Sequence, residues 1–165
     1  MTSSDRRIDL ISAAGGDPQI GNLETPINSS AFSKAFLSNL PAYRQGLSPL
    51  LRGLEIGLAH GYFIIGPWAK LGPLRDSDVA NLGALISGIA LITLATACLS
   101  AYGIVTFQRS DAAIGKTGDS ELQNGQGWSQ FSAGFFIGGM GGAYVAYFLL
   151  QNLSVIQGIF AGSFN

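Results

Sequence analysis

Glu55 and His60 are the first candidates for chemistry, because both are ionisable and both lie in or at the edge of a long apolar stretch. Ionisable groups are costly in hydrocarbon and are functional candidates there. Five positions separate them, which places them roughly 140° apart around a helix. This spacing favours two separate partners over one shared metal ion. A neutral imidazole at His60 suits the metal of a tetrapyrrole, and a hydrogen bond to a neighbouring helix is the structural alternative.

Neighbouring residues bear on both interpretations. Glu55 follows Arg52 by three positions, a distance at which two helical side chains pair. Its carboxylate can therefore form an ion pair instead of binding a ligand, or extend to the membrane interface. His60 follows Gly53 by seven positions and lies on nearly the same helix face. We expect this glycine to leave clear space beside the imidazole.

A second candidate site is the turn between the first two apolar stretches. Asp76 and Asp78 follow a Gly-Pro pair at Gly72 and Pro73. Carboxylate and turn carbonyl oxygens suit a hard cation such as Ca²⁺. Aspartates placed just before a helix are also common N-caps, and composition alone favours capping over a calcium site.

The composition indicates a membrane protein and excludes several classes of site. Of the 165 residues, 47% are hydrophobic and 12% are charged, about half the charged share of soluble domains. One histidine and one cysteine, Cys98, exclude a cysteine-based metal cage or a bis-histidine haem site within one chain. A net charge of −1 offers no basic surface for nucleic acid. The sequence contains no arrangement of nucleophile, base and acid residues that would indicate an enzyme.

Three apolar stretches must position these residues. A span needs about 20 apolar residues to cross the hydrocarbon core, and three stretches reach that length. They cover about 47–71, 79–107 and 131–153. Gly66 and Pro67 are expected to kink or end the first span, because proline removes one intrahelical hydrogen bond. The predicted fold is an all-α integral membrane protein with three transmembrane helices.

Polar and apolar segments flank these spans. Residues 1–46 form a polar, turn-rich extension in which 32–40 can form a surface helix. The opening residues match neither a secretory signal nor a transit peptide. The membrane domain is expected over 47–165, and its last residues, 154–165, form a short apolar segment that packs as a helix or hairpin.

Small residues recur at intervals of four in two of the spans. The first span has Gly53, Gly57 and Gly61, and the third has Gly134, Gly138, Gly142 and Ala146. Such faces let another helix backbone, or a flat ligand, approach closely. The sequence favours helix packing, with a planar macrocycle on one of these faces as the alternative.

Basic residues near the span ends predict the orientation in the membrane. Five of them flank the spans on one side and two on the other. The five are Lys34, Arg44, Arg52, Arg109 and Lys116, and the two are Lys70 and Arg75. This places the N-terminus and the 108–130 loop on the cytoplasmic-type side, and the 72–78 loop and the C-terminus on the opposite side.

Several motifs carry a resemblance to a known family. They occur at 40–49, 51–55, 59–63, 66–68, 72–76, 127–129 and 131–136. With them, roughly residues 17–165 resemble the photosystem I reaction-centre subunit XI family, PsaL, of the cyanobacterial or plastid-encoded type. The resemblance does not extend to residues 1–16 or 108–126, so it implies no role for them.

The resemblance implies a multi-pass subunit of the thylakoid membrane with a cytoplasmic or stromal N-terminus and a lumenal C-terminus. The family's subunit binds a few chlorophyll a molecules and β-carotene-type carotenoids, with bound lipid, and joins photosystem I monomers into trimers. Its partners are the other photosystem I subunits, including the large core subunits, and copies of itself. His60 and Glu55 match ligands to chlorophyll magnesium, and the Pro73 carbonyl and Asp76 match a Ca²⁺ site.

A second functional hypothesis remains open beside this one. A small membrane subunit could use His60 to bind a haem or to line an ion path. A haem with two axial side chains would then need an oligomer, or a methionine such as Met140 as the second ligand. The absorption spectrum of the purified complex separates the two hypotheses.

Overall fold

The computed structural model describes residues 11–17, 19, 22–114 and 122–163, without the side chains of 108–114. The chain divides into two compact units, Met1–Gln45 and Gly46–Asn165. The predictions that concern 1–10, the loop residues 115–121 and the last two residues lie outside the described part.

The first unit begins with a small sheet that the all-α prediction did not include. Strands β1 (Ser12–Ala13) and β2 (Leu23–Glu24) pair antiparallel, with Ser12 opposite Glu24. Between them, Gly15 and Gly16 have φ angles of 65° and 78°, a left-handed conformation that glycine adopts at no steric cost. The Ala14 N–H donates to the Asn22 carbonyl at 2.9 Å, which joins the two arms of the chain next to the strands.

Two short helices complete the first unit. Helix α1 (Pro26–Ser29) follows Thr25, which forms a capping box, and α2 (Ala31–Asn39) is capped by Ser30, whose hydroxyl accepts a hydrogen bond from the backbone of Ser33. Each cap satisfies N–H groups that the first turn of a helix leaves unpaired. Helix α2 corresponds to the surface helix expected at 32–40.

The second unit consists of three long helices and one short one. Helix α3 covers Pro49–Leu71, α4 covers Ala80–Ile114, α5 covers Gly125–Gln151 and α6 covers Leu153–Phe160. Helix α4 ends seven residues later than expected, and α5 begins six residues earlier than the predicted span. The apolar tail forms a helix rather than a hairpin.

Among the residues that the structure describes, two helices are long and apolar enough to cross a membrane: Ala80–Phe107 of α4 and all of α5. The third expected span, α3, has 23 residues but does not meet the same criterion of apolarity. It contains four polar ionisable side chains, namely Arg52, Glu55, His60 and Lys70. The structure therefore shows a mostly helical chain with two candidate spans, and a third span remains a prediction.

Of the two effects expected at Pro67, a kink or an end of the helix, the end does not occur. The helix continues to Leu71, and the Gly72 N–H donates to the Trp68 carbonyl at 3.0 Å. Burial stabilises the turns around the proline, since Ile65 and Ala69 on either side of it are buried. They belong to a core where α3, α4 and α5 meet. Its other buried members are Ala84, Leu85, Ala143 and Ala146.

The two glycine faces pack against each other. On α3, a Cβ added at Gly53, Gly57 or Gly61 would overlap carbonyl oxygens of α5, and glycines of α5 face the α3 backbone in the same way. The partners on α5 are Phe131, Phe135 and Gly139; Gly134, Gly138 and Gly142 of α5 approach Leu50, Leu54 and Leu58. Helix packing is thus confirmed, and no planar ring can lie between these faces.

Candidate functional site

One ring nitrogen of His60 forms a hydrogen bond within the protein. Its Nδ1 lies 2.7 Å from the Ile56 carbonyl oxygen, one turn earlier on α3. Because a carbonyl oxygen only accepts hydrogen bonds, this contact requires the proton on Nδ1. Nε2 then keeps its lone pair and is the nitrogen available to a metal, and a hydrogen bond from the other nitrogen is the usual device that orients a ligating histidine.

A groove of about 550 Å³ adjoins the imidazole. Residues from α3, α4 and α5 line it, and most of the lining atoms are apolar. They are Ile56, His60, Ala95, Cys98, Leu99, Tyr102, Phe131 and Phe135. The Phe135 ring is tilted toward the imidazole, with 5.6 Å between ring centroids. An apolar groove with one nitrogen donor suits a large apolar ligand that carries a metal.

The space beside His60 has a different origin from the one expected. The sequence analysis attributed it to Gly53, but α5 fills that face of α3. His60 lies at the side of the helix contact, where its side chain is exposed. The open space arises because α4 presents the small side chains of Ala95 and Cys98 to the groove.

An aromatic cluster fixes one end of the groove. The Trp128 indole N–H donates to the Leu99 carbonyl at 2.7 Å, which ties α5 to α4. The Trp128 ring lies 5.0 Å from the Tyr102 ring and 5.2 Å from the Phe131 ring, between centroids. Aromatic pairs at these separations contribute stability beyond their buried area. Sequence reasoning missed this cluster, although the spacing of three between Trp128 and Phe131 was a visible signal.

Glu55 lies outside the His60 groove. It is half-buried on α3, as is Arg52, whose guanidinium donates to the Leu47 carbonyl at 3.2 Å. The structure therefore does not bring Glu55 and His60 to one ligand, as their angular separation on the helix indicated. The choice between an ion pair with Arg52 and a ligand role for Glu55 stays a prediction.

The turn at Pro73 and Asp76 is open to solvent. The Asp76 side chain is 85% exposed, and its Oδ2 lies 3.4 Å from Nε of Arg75. The carbonyls of Gly72 and Leu74 accept backbone hydrogen bonds, whereas that of Pro73 accepts none from the described residues. A carboxylate and one carbonyl are oxygen ligands for Ca²⁺, which takes six to eight. Among the described residues no group of three or more His, Cys, Asp or Glu side chains could hold a metal.

Met140 does not line the groove beside His60 in the part of the chain that the structure describes. A haem held by His60 and Met140 of one chain would need both side chains at one cavity. The geometry therefore does not favour the haem hypothesis.

Comparison with known proteins identifies the family of this chain. A family model described as photosystem I reaction centre subunit XI, PsaL, matches residues 10–155. Photosystem I reaction center subunit XI of Thermosynechococcus vestitus is 63% identical over 95% of this chain and 98% of its own length. The subunit XI of a Synechocystis strain is 62% identical over 94% of this chain and 96% of its own. That of Porphyra purpurea is 55% identical over 90% and 94%. These matches cover nearly the whole chain at more than half identity, and the chain therefore belongs to the photosystem I reaction centre subunit XI family.

Proposed function

We propose that this chain is a non-catalytic subunit of photosystem I in the thylakoid membrane, where it joins monomers into trimers and binds a few antenna pigments. Family membership and the two apolar helices support this proposal. Its partners are other photosystem I subunits, including the large core subunits, together with copies of itself and membrane lipid, but no nucleic acid. The excess of basic residues on one side supports a cytoplasmic or stromal N-terminus and a lumenal C-terminus.

His60 is the proposed axial ligand of a chlorophyll a. The observation that carries the proposal is the hydrogen bond from Nδ1 to the Ile56 carbonyl, which leaves Nε2 as a lone-pair donor beside an apolar groove. Phe135 and Leu99 would exclude water from that nitrogen. Bound chlorophyll would supply light absorption and excitation transfer, and the protein would set its position and local polarity.

Glu55 is the proposed ligand of a second chlorophyll. Its half-buried position on α3 places a carboxylate where a magnesium ion or the Arg52 guanidinium could compensate its charge. A β-carotene-type carotenoid is also proposed. The exposed apolar side chains along α4, such as Ile86 and Leu94, offer it a surface of suitable chemistry.

The Pro73 carbonyl and Asp76 are the proposed protein ligands of a Ca²⁺ ion. The carboxylate is accessible, and the Pro73 carbonyl has no competing backbone donor among the described residues. Two ligands are too few for this ion, so water or a neighbouring copy of the chain would complete the coordination. The Arg75 guanidinium would have to move away from Asp76 when the ion binds.

Helix α6 is the proposed contact between copies. It carries no charge, and its Phe160 and Ile159 side chains are 88% and 62% exposed in the single chain. Exposed apolar side chains grouped in this way mark association sites. Asp76 and Leu153 line one pocket, so the turn that contains Pro73 and Asp76 lies at the same end of the helices as the start of α6.

The absorption spectrum of the complex tests the proposed function. A tag at the N-terminus should co-purify the large core subunits from mildly solubilised membranes, and the complex should show the red absorption band of chlorophyll. A haem Soret band without chlorophyll would contradict the proposal and support the alternative.

A further inference from the structure

A second cavity, of about 420 Å³, lies where α3 ends, α4 begins and α5 ends. Its lining differs from that of the His60 groove because it combines charged and apolar side chains. Those that matter here are Lys70, Arg75, Asp76, Asn81, Leu150 and Leu153. We refer to this cavity as the Lys70 pocket.

The charge of the Lys70 pocket is positive on balance. Arg75 lies beside Asp76, with 3.4 Å between Nε and Oδ2, so these two charges largely compensate each other. Lys70 has no acidic partner within ion-pair distance among the described residues. Asn81 adds an amide whose N–H reaches the Gln151 side-chain oxygen at 3.5 Å. An ammonium and a neighbouring guanidinium are the donors that bind phosphate and other oxyanions.

The position of the Lys70 pocket places it at a membrane surface. Both candidate spans have an end here, at Ala80 for α4 and at Gln151 for α5. Leu150 and Leu153 form an apolar wall beside the cations. Lys and Arg side chains at the ends of spans reach the level of the lipid headgroups, and an apolar wall accommodates the start of an acyl chain.

We infer that the Lys70 pocket binds the headgroup of an anionic membrane lipid, with Lys70 and Arg75 on the oxyanion and Leu150 and Leu153 against the first acyl carbons. Lys70 lies in the last turn of α3, where its positive charge interacts favourably with the helix dipole. If this were its only role, substitution of Lys70 would leave lipid binding unchanged. The inference rests on the membrane placement in the proposed function. Calcium bound at Asp76 would strengthen lipid binding, because Arg75 would no longer pair with that carboxylate and could contact the lipid oxyanion.

Photolabelling of the purified complex tests this inference. The probe is a phosphatidylglycerol with a photoactivatable group in its acyl chain, added to photosystem I that contains this chain. We expect labelled peptides that contain Leu150 and Leu153. The double variant Lys70→Gln, Arg75→Gln should reduce this labelling by at least about tenfold, the effect of losing one of its two charge-assisted hydrogen bonds. Lys70→Arg should retain it, and so should Asp78→Asn, a change in the same loop outside the pocket.

Competition identifies the ligand chemistry. Unlabelled phosphatidylglycerol should displace the probe, whereas a neutral galactolipid and inorganic phosphate should not. Equal labelling of the wild type and the double variant would overturn the inference, as would equal competition by the galactolipid or by phosphate alone. The chlorophyll content of each preparation reports assembly separately, so failure of the subunit to assemble is distinguished from failure of the lipid to bind.

Discussion

The substitution Gly57→Ala tests the contact between α3 and α5. A Cβ at this position would overlap the Phe135 carbonyl oxygen and lie 2.8 Å from the Phe135 Cα, whereas ordinary van der Waals contact begins at 3.4 Å. Both atoms belong to the backbone, so no flexible side chain can move aside. The two helices must therefore separate.

The expected loss of stability follows from that separation. A gap of about 1 Å forfeits up to half of the dispersion energy of each facing atom pair. Overpacking typically costs about 1–3 kcal/mol, and a backbone clash places Gly57→Ala at about 3 kcal/mol. For a chain of this size 1 kcal/mol lowers the melting temperature by about 2–4 °C. We expect the variant subunit to unfold about 6–12 °C below the wild type.

Stepwise heating of purified photosystem I, followed by measurement of the subunit that stays assembled, provides the assay. Gly66→Ala on α3 and Gly141→Ala on α5 are matched controls, because an added Cβ at either position meets no atom within 4 Å. Both should dissociate at the wild-type temperature. If Gly57→Ala matches these controls, the backbones do not meet at this face. A lower chlorophyll count at an unchanged dissociation temperature would instead revive the planar-ring interpretation.

Three further substitutions test the proposed site and assembly. His60→Leu should remove or loosen one chlorophyll while the helix still inserts, since leucine favours a span; an unchanged pigment count and spectrum would refute the ligand role, and Cys98→Ala in the same groove should retain the pigment. Asp76→Asn should lower the trimer fraction on sucrose gradients, because an amide is a weaker calcium ligand; chelation of the wild type should have the same effect, and equal trimer fractions would exclude the calcium role. Deletion of 154–165 should give monomers that retain their pigments. Trimers that survive this deletion would place the contact elsewhere on the chain.

The sequence predicted the positions of the long helices well, but it did not predict the tertiary contacts around Pro67 or the small sheet. Long, mainly apolar stretches locate α3, α4 and α5, because this signal is local. Pro67 does not end α3, which was one of the two effects expected there, since the tertiary burial of Ile65 and Ala69 outweighs one missing hydrogen bond. The strands β1 and β2 were missed because two-residue strands carry too few residues to show a pattern.

The candidate site was predicted in part. His60 was identified because a titratable group in an apolar stretch is conspicuous in any sequence. The groove beside His60 was not predicted, because its walls come from three helices far apart in the chain. In addition, α4 is apolar on every side, so its sequence does not show which face lines the groove. No periodicity therefore indicated that Ala95 and Tyr102 face His60. The hydrogen bond to Ile56, which decides the tautomer, depends on a side-chain torsion that sequence patterns do not encode.

Helix α4 is too long for the membrane that it is suited to cross. Its 35 residues extend about 52 Å at 1.5 Å per residue, whereas a bilayer with its headgroups is about 40–45 Å thick. A tilt of about 20°, the average for such helices, still leaves about 49 Å. A helix of this length that crosses such a membrane therefore extends beyond the lipid headgroups by about 4–9 Å, in either orientation.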